Sequence, residues 1–363
     1  MAVRLRSVSW SAALAVLLFA TVTVSAGIGP VSIPPSETLK VLLNALAVPT
    51  SISVASTSLV TLGGISIPAP LLGYSSLFHF GVPETHTIIV WNIRMPRIAL
   101  GALVGFALAA AGAVMQGFFR NPMADPSIIG VSSGAAVGAV AAITLPIPFG
   151  LHSAAFLGGL LTAFGVYVIA TENGRTPVAT LLLAGIAVQT FLGAVISYML
   201  VLSGQSLQEA VFWLMGPLHN ASWSEVGFAL FFVPIFFVIL AWYSRDLNVL
   251  LLGEEDAATL GIEVERTKRI LLGVSSLITA AAVAVSGVIG FVGLIVPHMM
   301  RLLVGPDHRI LLPTSAIAGA TFLVATDTIA RTGAAEIPVG IVTAALGAPF
   351  FLFLLRRREV HAL

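Results

Sequence analysis

Apolar runs of close to twenty residues, broken by short polar turns, repeat along the chain from residue 8 to residue 355. A helix needs about 20 apolar residues to cross the hydrocarbon of a bilayer. The runs predict ten such spans, at 8–28, 97–118, 127–147, 152–171, 178–202, 226–244, 269–289, 291–304, 309–330 and 338–355. Backbone facing lipid must satisfy its hydrogen bonds within its own segment, and the runs lack the alternation of a barrel, so the spans are helices. The eighth is short for a straight crossing, and Gly287, Gly290 and Gly293 mark it as broken or tilted. Residues 29–93, an outer segment rich in Pro and Ser, contain a surface helix over 36–46, and the loop from Ser203 to Glu225 carries SLQEAVFWLMG at the interface. The pattern predicts an all-α polytopic membrane protein with one transmembrane domain over 1–363.

Composition agrees: 58% of residues are hydrophobic and 9% charged, against about 25% charged in a soluble domain. The net charge of +1 gives no reason to expect a nucleic-acid partner, and the lack of cysteine excludes disulfides and thiolate metal sites. Arg4, Arg6, an apolar core and Val24-Ser25-Ala26 imitate a signal peptide, but the stretch is nearly a full span and reads as a retained first helix.

Charge sets the orientation. An even number of spans with the N-terminus inside places thirteen basic residues on the cytoplasmic side and only Lys40, Arg94, Arg97 and Arg331 outside. Both termini are then cytoplasmic. So is an island from Arg245 to Arg269 that holds ten of the chain's 33 charged side chains. Within it Gly253 turns the chain out of the sixth span, Glu254, Glu255 and Asp256 open a short helix running to Leu260, and Gly261 ends it. By itself such an island is an ordinary solvated loop. Small residues four apart, Gly101 and Gly105, then Gly130, Gly134 and Gly138, suit close helix packing, with a pathway lining as the alternative.

No catalytic constellation is evident: HExxH, Cys and paired carboxylates within spans are all missing. Asp327 is the single acid inside an apolar span, and Arg331 pairs with it at i,i+4, which is poor support for ion coupling. Only Lys40 and Lys268 are lysines, and neither sits in Gly-Lys-Ser/Thr, so any ATP that drives the protein is hydrolysed by another chain. A self-contained carrier or facilitator is the competing class.

Ordered motifs decide between them. Arg94-x-Pro96-Arg97 is followed by Gln116-Gly-x-x-x-Asn121-Pro122-Met-Ala-Asp125-Pro126 and Gly130-Val-Ser-Ser-Gly134-Ala. Then come Leu252-Gly253-Glu254-x-x-Ala257-x-x-Leu260-Gly261, Gly290-Phe291-Val292-Gly293-Leu294-Ile295-Val296-Pro297-His298, Asp327-x-x-x-Arg331 and Glu336-x-Pro338-x-Gly340. From about Arg94 to Arg358 the chain resembles the FecCD family, permease subunits of type II ATP-binding-cassette importers for iron complexes, haem and cobalamin. The resemblance implies the type II importer permease fold, a homodimer, two ATPase subunits that carry the ATP and Mg, and a periplasmic binding protein. It places the subunit in the bacterial inner membrane, with no cofactor or metal of its own. It makes 245–269 the segment that couples to the ATPase, and Arg94, Arg97 and Arg331 the contacts for glutamates of the binding protein. GPDHRILLP and EIPVGIVTAALGAPFF look most like the haem-importing branch, so haem is the favoured cargo, ahead of ferric siderophores and cobalamin.

Overall fold

A computed structural model describes residues 2–29, 31–45, 47–62, 65–148, 150–332 and 336–356. They fall into two compact units, Ala26–Met95 and the remainder.

The larger unit is a helical bundle whose α1 starts at Ala2 and ends, in the smaller unit, at Gly27. It continues through α4 (Met95–Phe118), α5 (Val131–Thr144), α6 (Leu151–Ala170), α7 (Val178–Leu202), α8 (Leu207–Leu214) and α9 (Trp223–Trp242). Then follow α10 (Ser244–Leu250), α11 (Glu254–Thr259), α12 (Val264–Ser286), α13 (Val292–Val304), α14 (His308–Ala330) and α15 (Val339–Arg356). Seven helices among the described residues are long and apolar enough to cross a membrane, and α5, α13 and α15 are shorter apolar helices. Together these make the ten expected. The third span contracts to 131–144 because Asp125, accepting from Ser127 N, caps a separate 3-10 turn at Pro126–Ile129. The eighth span is one short continuous helix, α13, with Gly293 inside it; the irregular backbone precedes it, where Gly287 at the end of α12 and Phe291 both take positive φ, +69° each.

Contact between helices rests on missing side chains. A Cβ on Gly112 of α4 would lie 1.9 Å from Gly293 O of α13, and one on Gly105 would lie 2.3 Å from Gly319 O of α14. In lipid, where burial from water no longer drives association, such backbone approach supplies the dispersion contact that holds helices together. Around these glycines Ala107, Ala109, Ala110, Ala111 and Ala113 of α4 are all buried.

The turn between α13 and α14 is tied by polar groups. Asp307 caps α14 through Arg309 N, accepts from Asn248 Nδ2 at 2.7 Å, and pairs with the Arg309 guanidinium. Hydrogen bonding from the Arg309 side chain holds its carboxyl down at about 2. Replacing Asp307 with Ala should therefore cost ~1 kcal/mol. A folded-state value lowered below the ordinary ~3.9 means the stabilisation is full above that value and fades as pH falls through about 2. The thermal-midpoint gap between wild type and Asp307→Ala should accordingly be flat from neutral pH down to ~5 and narrow only below ~4.

The smaller unit contains α2 (Pro35–Asn44), an antiparallel hairpin of β1 (Ala47–Leu62) and β2 (Ile65–Ser76), α3 (Glu84–Ile88) and a π-helical turn at Ile89–Arg94. The surface helix expected at 36–46 corresponds to α2; the hairpin was not expected. Asn44 clamps the backbone of Phe80 from both sides, at 2.8 Å each, and His86 Nδ1 meets Glu37 at 2.5 Å.

Candidate functional site

The charged island is a rigid projection. α10 leads to Gly253, whose φ of +139° reverses the chain into α11, and Leu260 and Gly261 close it. Ile262 N bonds Ala257 O and Gly261 N bonds Ala258 O, the paired pattern of a Schellman stop with Gly261 at φ +86°. Beneath the projection Lys268 is buried, donating to Thr176 O at 2.8 Å and pairing with Glu265 at 2.9 Å and Glu254 at 3.1 Å. Arg120 reaches Leu250 O at 2.7 Å from the α4–α5 turn. The bundle thus braces the projection at two points, Glu254 of α11 through Lys268 and the end of α10 through Arg120. Its outer surface stays open: Leu252 and Leu260 are 64% and 62% exposed, and Glu255 and Asp256 are exposed beside them. Arg266, Lys268 and Arg269, at the basic end of the island, belong to the first turns of α12, and Lys268 is a buried brace.

The three arginines expected as docking contacts all have partners inside the chain. Arg94, in the smaller unit, is buried and donates to Ala26 O at 2.6 Å and to Val31 O. Arg97 is buried beside Asp327, with Nε 3.0 Å from both carboxylate oxygens, and reaches Glu336 at 3.0 Å. Arg331 donates to Ser25 O at 2.6 Å and lies 3.8 Å from Asp327. The structure therefore brings Arg97 and Arg331 together around Asp327, with Arg97 rather than Arg331 as the closer partner. Glu336, 54% exposed, is the open member of this cluster.

The glycines pack helices. Cβ atoms at Gly134 and Gly138 would collide with Gly158 O at 2.4 Å and Ala154 O at 2.1 Å across the α5–α6 contact. Gly105 meets α14, Gly130 holds φ +87° before α5, and Gly101 touches Leu218 only at ordinary distance, 3.5 Å.

One cavity of ≈ 650 Å³ opens at the end of α12 opposite the island. Gln205, Gln208, Asn220, His152, His219, Glu209 and Glu225 line it beside Phe212 and Trp213, and no lysine or arginine does. Burial, and after it the charge of Arg97, holds His219 below its ordinary value, so it is neutral at pH 7. Among the described residues no group of three His, Asp or Glu could hold a metal ion. Sequence reasoning passed over this amide-rich ring because its members are ordinary loop residues until α5, α6, α8, α9 and α12 converge.

Ten apolar helices among the described residues, with a braced, charged projection at one end, describe a multi-span membrane protein. The chain belongs to the FecCD transport family, whose model matches residues 16–357, and it is a permease of a binding-protein-dependent ABC importer, not an ATPase. It is 59% identical over 363 residues to the cobalamin import system permease protein BtuC of Halobacterium salinarum, covering 99% of this chain and 98% of that one. It is 41% identical over 312 residues to the hemin transport system permease protein HmuU of Yersinia pestis, covering 83% and 93% respectively. A solved structure described as a metal-chelate type ABC transporter in an inward-facing conformation superposes with a TM-score of 0.77 at 30% identity, covering 96% of this chain and 98% of that one. Similarity of this extent to an archaeal chain establishes a multi-pass membrane protein without restricting it to a bacterial inner membrane.

Proposed function

We propose that this chain is the membrane-spanning subunit of a corrinoid importer of the cobalamin class. It works as a homodimer with two separate ATPase subunits, which carry the ATP and Mg, and with an external binding protein. The observation that carries the cargo is the 59% identity to a cobalamin permease over 99% of this chain, the 26–95 unit included; identity to the hemin permease is 41% and reaches 83%. This reverses the preference for haem drawn from GPDHRILLP and the C-terminal motif.

Cavity chemistry supports the same cargo. Haem presents two propionate carboxylates, which a wall holding Glu209 and Glu225 and no lysine or arginine disfavours. A corrin ring is fringed instead with carboxamides, and the side-chain amides of Gln205, Gln208 and Asn220 offer both donors and acceptors to such groups. The exposed face of α11, with Leu252 and Leu260 around Glu255 and Asp256, is the surface gripped by the ATPase. Arg94, Arg97 and Arg331 then serve docking by fixing the shape of the outer loops, while the exposed Glu336 carboxylate is available to a partner.

Uptake by vesicles that contain this chain, its ATPase and its binding protein tests the proposal. Cobalamin should accumulate only with ATP inside, and haem should neither accumulate nor compete. Accumulation of haem in preference to cobalamin would return the cargo to the haem branch, and transport by this chain alone would remove the ATPase from the scheme.

A further inference from the structure

A second groove lies on the outside of the bundle between α6 and α12, at the island end, with a volume of ≈ 240 Å³. Its wall is almost wholly apolar: Phe164 from α6 and Leu272 and Leu277 from α12, with Gly273 as a gap in the α12 side. Phe164 is 64% exposed, and a Cβ placed on Gly273 would meet nothing within 4 Å, so the space is open. At the island end of the groove Arg269 donates through Nε to the hydroxyl of Tyr167 at 3.1 Å. Its two Nη groups have no partner among the described residues, and no carboxylate there comes within ion-pair distance. From Arg269 to Leu277 α12 rises about 12 Å, most of the ~15 Å depth of one bilayer leaflet.

We propose that this groove binds one anionic phospholipid, with a hydrocarbon tail along Phe164, Leu272, Gly273 and Leu277 and the headgroup phosphate on the Nη groups of Arg269. An unused planar fork suits phosphate oxygens, and the phenolic hydroxyl of Tyr167, accepting from Nε, holds the guanidinium at the end of the groove. The length and dryness of the groove match a chain, while the single cation at its end selects charge. Arg269 directly follows Lys268, the buried brace of the coupling projection, so a bound headgroup would steady the turn on which α11 is mounted.

The test places the purified chain in nanodiscs of equal phosphatidylglycerol and phosphatidylcholine and counts retained lipid by native mass spectrometry. Wild type should keep one phosphatidylglycerol per chain with about fivefold preference, the effect of one basic residue at an anionic surface. Arg269→Gln should abolish the preference and Arg269→Lys keep part of it. Gly273→Leu, which fills open space without collision, should lose the tightly held lipid of either kind. Excess inorganic phosphate should not displace it, because the tail as well as the headgroup is held. Equal retention of the two lipids by wild type, an unchanged preference in Arg269→Gln, full retention in Gly273→Leu, or displacement by inorganic phosphate would each overturn the assignment.

Discussion

Replacing Arg97 with Ala should sharply reduce accumulation of folded protein in the membrane and lower the thermal midpoint of what remains. Asp327 is 2% exposed in its side chain and stands inside α14, and Arg97 is its closest cation. Removing one member of a buried pair strands the other charge, a loss of about 3–5 kcal/mol. Arg331, at 3.8 Å and committed to Ser25, compensates only in part. Loss of the guanidinium also frees Glu336, but that carboxylate is half exposed and returns to water. The informative comparison is therefore the double variant Arg97→Met with Asp327→Leu, which removes both charges and should recover most of the lost thermal stability. Membrane accumulation and the thermal midpoint of the purified chain measure both; a normal midpoint for Arg97→Ala alone would show that the pair contributes nothing.

The coupling projection should separate hydrolysis from uptake when its shape or surface is changed. Gly261→Pro cannot hold φ +86° and loses the bond from Gly261 N to Ala258 O, so the Schellman stop fails. Lysine at both Glu255 and Asp256 reverses the exposed acidic face without touching Lys268, whereas reversal at Glu254 would break the brace as well. In reconstituted complexes ATPase activity should persist for Gly261→Pro and for the Glu255→Lys, Asp256→Lys pair. Uptake should fall roughly 5- to 150-fold, the usual range of a coupling free energy of about 1–3 kcal/mol. Normal uptake by both variants would reduce α11 to a solvated turn.

Much of the bundle is legible in the chain because lipid leaves one criterion, a long apolar run, that needs no knowledge of neighbours. Gly253 and Gly261 were legible for a similar reason, since each punctuates a local turn. What could not be read is convergence. Arg94, Arg97 and Arg331 look like outer basic residues in sequence; only the approach of α4 to α14 reveals that two of them surround Asp327. Lys268 resembles its neighbours Arg266 and Arg269 until Thr176 and Glu254 close on it. The hairpin was overlooked for a different reason. Ser51-Ile52-Ser53-Val54 and Ile65-Ser66-Ile67 alternate with period two, and Gly63-Gly64 lies between them, but the stretch is too polar to register as a span.

The contact between Gly112 and Gly293 also fixes an order of events during biosynthesis. α4 leaves the ribosome on the order of ten to forty seconds before α13, at roughly 5–20 residues per second. Throughout that interval its glycine face has only lipid or passing helices against it. Arg97 is likewise in the membrane before Asp327 has been made. The early half of the chain is therefore an unfinished surface, and a nascent chain stalled before residue 293 is the form in which membrane quality control would find α4 exposed.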